Sequence, residues 1–190
     1  MKQKLRQLLS RRQKQPIVDA GRVPSAVLVP LFKKQGQYHL LFIKRTETVR
    51  EHKGQISFPG GTREEADATL LDTALRECAE ETGLRAEDAE ILGELDDEVT
   101  ATSNYIVSPF VAMIPWPYQF KMNEGEVEEI IEIPISALLD KNCFHPDTEI
   151  LNGKLTDSYA YHYQGRVIWG ATARILNRFL DTLARAMPDR

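Results

Sequence analysis

Apolar positions along the chain alternate between two periods. Residues 25–32, "SAVLVPLF", and 38–45, "YHLLFIKR", are rich in β-formers, and a turn at Gly36 between them predicts a hairpin. The polar loop "TETVREHKGQ" follows, then a short strand in "ISFPGG" that ends in a turn. Beyond it the spacing becomes helical, with Asp67 as a candidate cap, an end near Thr82 and a left-handed stop at Gly83. "EILGELDD" and "YIVSPFVAMI" read as strands. The loop "PWPYQFKMNEGE" leads to a strand in "EEIIEIPI" and one helical turn in "SALLD". "SYAYHYQG" and "RVIWG" predict a second hairpin, and "ATARILNRFLDTLARAM" a closing amphipathic helix. At the other end, leucines at helical spacing among six basic and no acidic residues in 2–14 predict a short helix running into a linker near Pro16. The expected organisation is a basic helix and linker over 1–20 and one globular domain over 21–187. Mixed β and α segments with two substantial helices predict an α+β sheet covered by helices.

Composition narrows the class. With 190 residues, 42% hydrophobic and 27% charged, the chain is long enough for one domain with a sizeable core. No apolar run reaches the ~18 residues that span a bilayer. Leu5, Leu8 and Leu9 are too few for a signal-peptide core. Cys78 and Cys143 have no metal-ligand spacing, so a reduced, cytoplasmic setting is expected.

The net charge of −4 conceals an asymmetry: residues 1–63 carry 14 Lys+Arg against 3 Asp+Glu, and residues 64–98 carry 2 against 14. One site gathering both cations and anions would explain the pairing. The acidic total and the lack of a recognition motif argue against a nucleic-acid partner, and three leucines make a small apolar face for a membrane surface.

The acidic block contains "RECAEETGL", residues 76–84. At about 100° per residue, Glu81 lies near +40° and Glu80 near −60° of Glu77. Leu71, Ala74, Leu75, Cys78 and Thr82 fall between about +60° and +160°. The helix therefore buries one face and presents carboxylates on the adjoining one. Like charges at i and i+4 repel, whereas a hard divalent cation takes one or two such carboxylates together with water and phosphate oxygens. Upstream, Gly60 and Gly61 permit a tight turn that brings a carbonyl close to an ion.

The stretch from Gly61 to Leu84 resembles the Nudix box, G-x5-E-x7-R-E-U-x-E-E-x-G-U, through Gly61, Arg76, Glu77, Glu80, Glu81, Gly83 and Leu84. Asp67 stands where the first Glu is expected, and eight residues rather than seven separate it from Arg76. The resemblance implies an α/β/α sandwich with a mixed sheet, and Mg²⁺- or Mn²⁺-dependent hydrolysis of a nucleoside diphosphate linked to another group. It implies Glu77 and Glu81 as metal ligands near Gly61. Glu80 would act directly or through water, and Arg76 would hold the carboxylates in register.

Residues preceding the box fit a second pattern, R-[ST]-x3-R-x3-G-x3-F-P-G-G, through Arg45, Thr46, Arg50, Gly54, Phe58, Pro59, Gly60 and Gly61. This resembles the coenzyme A diphosphatase branch of the family, as do the longer spacer and the W-G-x-T-A segment in "RVIWGATARIL". That branch implies cleavage of coenzyme A or its derivatives to 3′,5′-ADP and 4′-phosphopantetheine. Arg45, Arg50, His52 and Lys53 are then candidate substrate-binding cations, arginine being suited to bidentate phosphate contacts. For His52, phosphate contact, loop packing and exposure are all compatible with the sequence. Glu126, before Val127, best matches the branch's E-V pattern for a general base from a distant loop. Alternatives are hydrolysis of ADP-ribose or a dinucleotide, or a non-catalytic nucleotide-sensing module. The expected assembly is a monomer or homodimer.

Overall fold

The computed structural model describes residues 1–48, 52–101, 103–151 and 153–186. The predicted hairpin is present: β1 (Val23–Lys34) and β2 (Gln37–Arg45) pair from Leu31↔Leu40 to Lys34↔Gln37. On its other side β1 runs parallel to β7 (Tyr105–Met113), from Val23↔Tyr105 to Leu31↔Met113. With β3 (Ile56–Ser57) and β5 (Glu90–Glu94), these strands are ordered β3-β2-β1-β7-β5. β4 (Gly60–Thr62) joins β1, β6 (Glu98–Val99) joins β7, and β8 (Val127–Pro134) joins β2.

Both faces of this mixed sheet are covered, which explains the near-continuous apolar runs of its central strands. Ala26, Leu28 and Phe32 of β1 pack with Ala74 and Cys78 of α2 (Leu70–Thr82). Val29 and Leu31, on the opposite face, pack with Leu176 and Phe179 of α4 (Gly170–Ala186). Period-two alternation thus feeds two cores, and helix–sheet–helix layering results. After the single turn α3 (Ile135–Leu138) comes a smaller sheet of β9 (Phe144–Leu151), β10 (Lys154–Tyr163) and β11 (Arg166–Ile168). The β10–β11 hairpin was expected; β9 was not. "FHPDTEIL" lacks strand periodicity, and it is held by pairing with β10 at an edge, where Pro146 is tolerated.

The first helix, α1 (Lys2–Arg11), is more than a basic arm: Leu5 and Leu9 are fully buried in the larger core. Leu9 occupies space left by Gly93, where a Cβ would come within 2.6 Å of the Leu9 Cβ. Packing therefore crosses the compositional boundary at residue 20. The charge blocks also meet here. Lys2 and Arg6 pair with Glu90, Arg12 with Asp96, and Lys14 with Glu94 and Asp97. A single cation–anion site thus accounts for little of the asymmetry, although Arg45 does reach the carboxylate helix.

No helix among the described residues is long and apolar enough to cross a membrane.

Candidate active site

The carboxylate helix α2 begins two residues later than a cap at Asp67 would give. Thr69 is the N-cap: its Oγ1 accepts the Asp72 N–H at 3.2 Å while Asp72 Oδ2 accepts the Thr69 N–H at 2.8 Å. This reciprocal pair satisfies two donors that a helix start leaves open. Gly83, at φ 72°, ends the helix.

Released from capping, Asp67 has a different task. Its buried carboxylate takes a two-pronged contact from Arg76, Nε to Oδ1 at 3.0 Å and Nη2 to Oδ2 at 2.9 Å. The Glu64 N–H and Thr73 hydroxyl donate to it as well. Arg76 first, then the Glu64 N–H, hold the Asp67 carboxyl well below the usual carboxylate range. Arg76 also donates to the Thr62 carbonyl at 3.0 Å, to Glu77 Oε1 at 3.0 Å and to Glu80 Oε2 at 3.2 Å. Asp67 thus anchors a guanidinium that in turn spans the β4 backbone and two box carboxylates. The shorter acid at this position reaches Arg76.

The three helix glutamates are not equivalent. Glu81 is 1% exposed, whereas Glu80 faces solvent, so the common carboxylate face expected from helical angles is split by the sheet. Glu81 Oε2 accepts the Gly60 N–H at 2.9 Å, and Oε1 accepts from Arg45 Nη1 at 3.1 Å. Burial pushes the Glu81 carboxyl up to about 8, against the Gly60 N–H and Arg45; the charges of Glu77 and Glu126 add to the rise. Burial also raises Glu77. Two carboxylates are therefore held where water cannot fully stabilise their charge.

Gly61 completes the cradle. A Cβ there would lie 2.5–2.6 Å from the carboxyl atoms of Glu77, so only a glycine lets that carboxylate rest against the β4 backbone. The Glu77 and Glu81 carboxylates and the Gly61 carbonyl are hard oxygen donors, which fit a divalent cation. Among the described residues, no cluster of three or more His, Cys, Asp or Glu is placed to hold an ion by itself. Glu126 is exposed just before β8; its carbonyl accepts the Thr46 N–H at 2.9 Å, which sets it beside the end of β2.

A cavity of about 230 Å³ adjoins this cradle. Arg45, His52, Gly60 and Gly61 line it together with Tyr105 and the Trp169–Thr172 stretch at the start of α4. A register shift between Lys44 and Arg45 against β8 marks a bulge, which turns the Arg45 side chain. Arg45 Nε is buried without a hydrogen-bond partner among the described residues. Leaving such a donor unmet costs about 1–3 kcal/mol, and a phosphate oxygen would satisfy it. His52 lines the cavity, but its ring nitrogens contact Gln55 Oε1 at 2.9 Å and Ser103 Oγ at 3.2 Å, so loop packing occupies it here. Lys53 is exposed and does not line the cavity. Arg50 lies outside the described residues.

Sequence reasoning missed the Asp67–Arg76 clamp, although the departure from the box pattern marked the position. It also missed Glu149 of β9, which lines the cavity and pairs with buried Arg174 of α4. No local signal identifies that pair.

Comparison with known proteins agrees with this geometry. A family model described as the NUDIX domain matches residues 22–152. A protein described as an uncharacterized Nudix hydrolase NudL from Photorhabdus laumondii is 34% identical over 154 residues, covering 81% of each chain. Its namesake from an Enterobacter species is 35% identical over 171 residues, 90% of this chain and 82% of the relative. Among solved structures, a MutT/nudix family protein from Enterococcus faecalis superposes with a TM-score of 0.59 at 16% identity, covering 92% of this chain and 70% of that one. The NUDIX domain of Shewanella oneidensis NrtR, complexed with ADP ribose, gives a TM-score of 0.50 at 20% identity over 70% of this chain and 84% of its own.

Proposed function

Because the chain belongs to the Nudix hydrolase family, we propose that its substrate is coenzyme A or a derivative, cleaved at the diphosphate to 3′,5′-ADP and 4′-phosphopantetheine or its acyl form. The observation that carries this reading is the shared cavity. Two segments more than 100 residues apart, each resembling the coenzyme A branch, line one space: Arg45 with Gly60–Gly61, and Trp169–Thr172.

The roles follow from the contacts. Glu77 and Glu81, with the Gly61 carbonyl, would hold Mg²⁺ or Mn²⁺. A cation bound there supplies Lewis acidity that activates water and offsets charge on the diphosphate oxygens. The Gly60 N–H fixes the Glu81 carboxylate, and Asp67 fixes Arg76, which fixes Glu77. Glu80 touches Arg76 from the solvent side and supports the same register. Arg45 presents its guanidinium to a phosphate oxygen, with Arg50, His52 and Lys53 as further cations of the preceding loop. Glu126 receives the proton of the attacking water, whose oxygen bonds to one phosphorus as the anhydride P–O bond breaks. Positioning and charge stabilisation dominate such a displacement.

Chromatographic product analysis tests the reading. Purified protein is incubated with Mg²⁺ or Mn²⁺ and coenzyme A, acetyl-coenzyme A, ADP-ribose, NADH or diadenosine polyphosphates. Preferential release of 3′,5′-ADP from the coenzyme A substrates is expected. Preference for ADP-ribose, the ligand in the NrtR structure, would retain the hydrolase and refute the substrate.

A further inference from the structure

One cavity-lining residue has the wrong charge for a phosphate site. Glu149 projects from β9 into the wall that α4 completes. Its Oε1 is ion-paired with Nη1 of Arg174, whose side chain is 7% exposed. Arg174 also contacts Glu98 Oε2 at 3.1 Å and the Val99 carbonyl at 2.5 Å, so it ties β9, β6 and α4 together. Glu149 is therefore a fixed carboxylate. Besides pairing with Arg174, Glu149 borders the cavity itself.

The α4 wall beside this carboxylate is largely apolar. Trp169, Ala171 and Ile175 line the cavity from the same end of α4, while Arg45 enters from the end of β2. An anion beside Glu149 would meet like charge, whereas an N–H or O–H would meet a strong acceptor. The substrate proposed above has one part of each kind. Its phosphoadenosine carries a further phosphate, and its pantetheine arm is uncharged, with two amide N–H groups, a hydroxyl and a pair of methyl groups.

Resting on the coenzyme A reading, we infer that Glu149, held by Arg174, binds the amide and hydroxyl donors of the pantetheine arm and excludes phosphate from that wall. Glu149 is thus a specificity residue for the group attached to the nucleotide, and the wall formed by Glu149 and α4 is the arm's part of the cavity.

Three diphosphates separate the possibilities: coenzyme A, 3′-dephospho-coenzyme A, and the methyl ester of ADP, which lacks the arm. In Glu149→Ala, KM for coenzyme A should rise about 10- to 100-fold, the worth of a hydrogen bond to a charged group, while kcat changes less than about twofold. The 3′-dephospho substrate should lose the same factor. The kcat/KM for coenzyme A relative to methyl-ADP should fall by that factor too, a ratio in which any loss of folded protein cancels. Glu149→Gln keeps an acceptor oxygen and should retain most of the preference. Equal losses on all three substrates would make Glu149 merely structural and overturn the inference. So would tighter binding of coenzyme A with no change for the 3′-dephospho form, because the phosphate would then lie at this wall. If the wild-type protein leaves coenzyme A intact, the substrate reading falls and takes this inference with it.

Discussion

Alanine at position 61 would set its Cβ 2.5–2.6 Å from three atoms of the Glu77 carboxyl group. An ordinary contact needs at least 3.4 Å, so the carboxylate must retreat by about 0.8 Å. It can do so cheaply, because the obstructing atoms are the end of a flexible side chain and Gly61 has no left-handed backbone to strain. Folding stability should therefore change by less than about 1 kcal/mol, a Tm shift of roughly 2–4 °C at this chain length. Activity should respond quite differently. Metal-ligand distances tolerate only about 0.2 Å, and a misplacement near 1 Å costs on the order of 10²-fold in rate. Gly61→Ala is expected to lose roughly 10- to 100-fold in kcat/KM and to need more divalent cation for half-maximal activity. Gly60→Ala, whose N–H holds Glu81, is the comparison in which stability falls together with activity. Its Cβ would meet the Ala26 carbonyl at 2.3 Å and Val27 Cα at 2.6 Å, on a backbone with φ +154°. Backbone strain and overpacking together cost about 4 kcal/mol, which lowers Tm by roughly 8–16 °C. Paired thermal melts and metal-titrated rate measurements check both. Full activity of Gly61→Ala at limiting cation would refute the assignment of Glu77 as a ligand.

Glu81→Gln keeps the shape but removes the charge, and turnover should fall at least ~10²-fold; near-normal turnover at saturating Mg²⁺ would sink the metal assignment. The folded protein without metal holds a proton on Glu81 up to about pH 8, whereas an unfolded chain releases it near 4.5. Protons bound in excess by the folded state make stability fall as pH rises between those values, and Glu77 acts in the same sense. Melts in chelator at pH 5, 6.5 and 8 should show that slope, reduced in Glu81→Gln and offset by divalent cation. Leu5→Ala should cost about 2–5 kcal/mol as a fully buried leucine, visible in a denaturant titration. A cost under 0.5 kcal/mol would mean that α1 is not part of the core.

Local signals account for what the sequence revealed. Gly36, Gly60 and Gly83 take positive φ angles that the backbone requires, and the period change after Gly61 exposes α2. The box residues were legible because their chemistry is compressed into one helix. The rest depends on contacts across the fold. Whether Glu80 or Glu81 is buried is decided by where β4 crosses the helix, and a helical wheel has no information on that. Asp67 looked like a cap because Thr69 and Asp72 complete a better one only when both are considered. β9 is a strand because β10 pairs with it. Glu149 and Arg174 are ordinary charged residues until that pairing brings them together.

The seating of α1 also dictates an order of events during synthesis. Its buried leucines find their neighbours on β5 and α4, so α1 is fully covered only when both of these later elements are in place. At 5–20 residues per second, the 175 residues from Arg11 to Ala186 take roughly 9–35 s to emerge. A helix of 10 residues is below the ~12–15 that hold together alone in water. The N-terminal segment therefore meets β5 early and gains its full set of partners only once α4 has formed. The active-site cradle, assembled from residues 45 to 126, is complete in sequence well before that final closure.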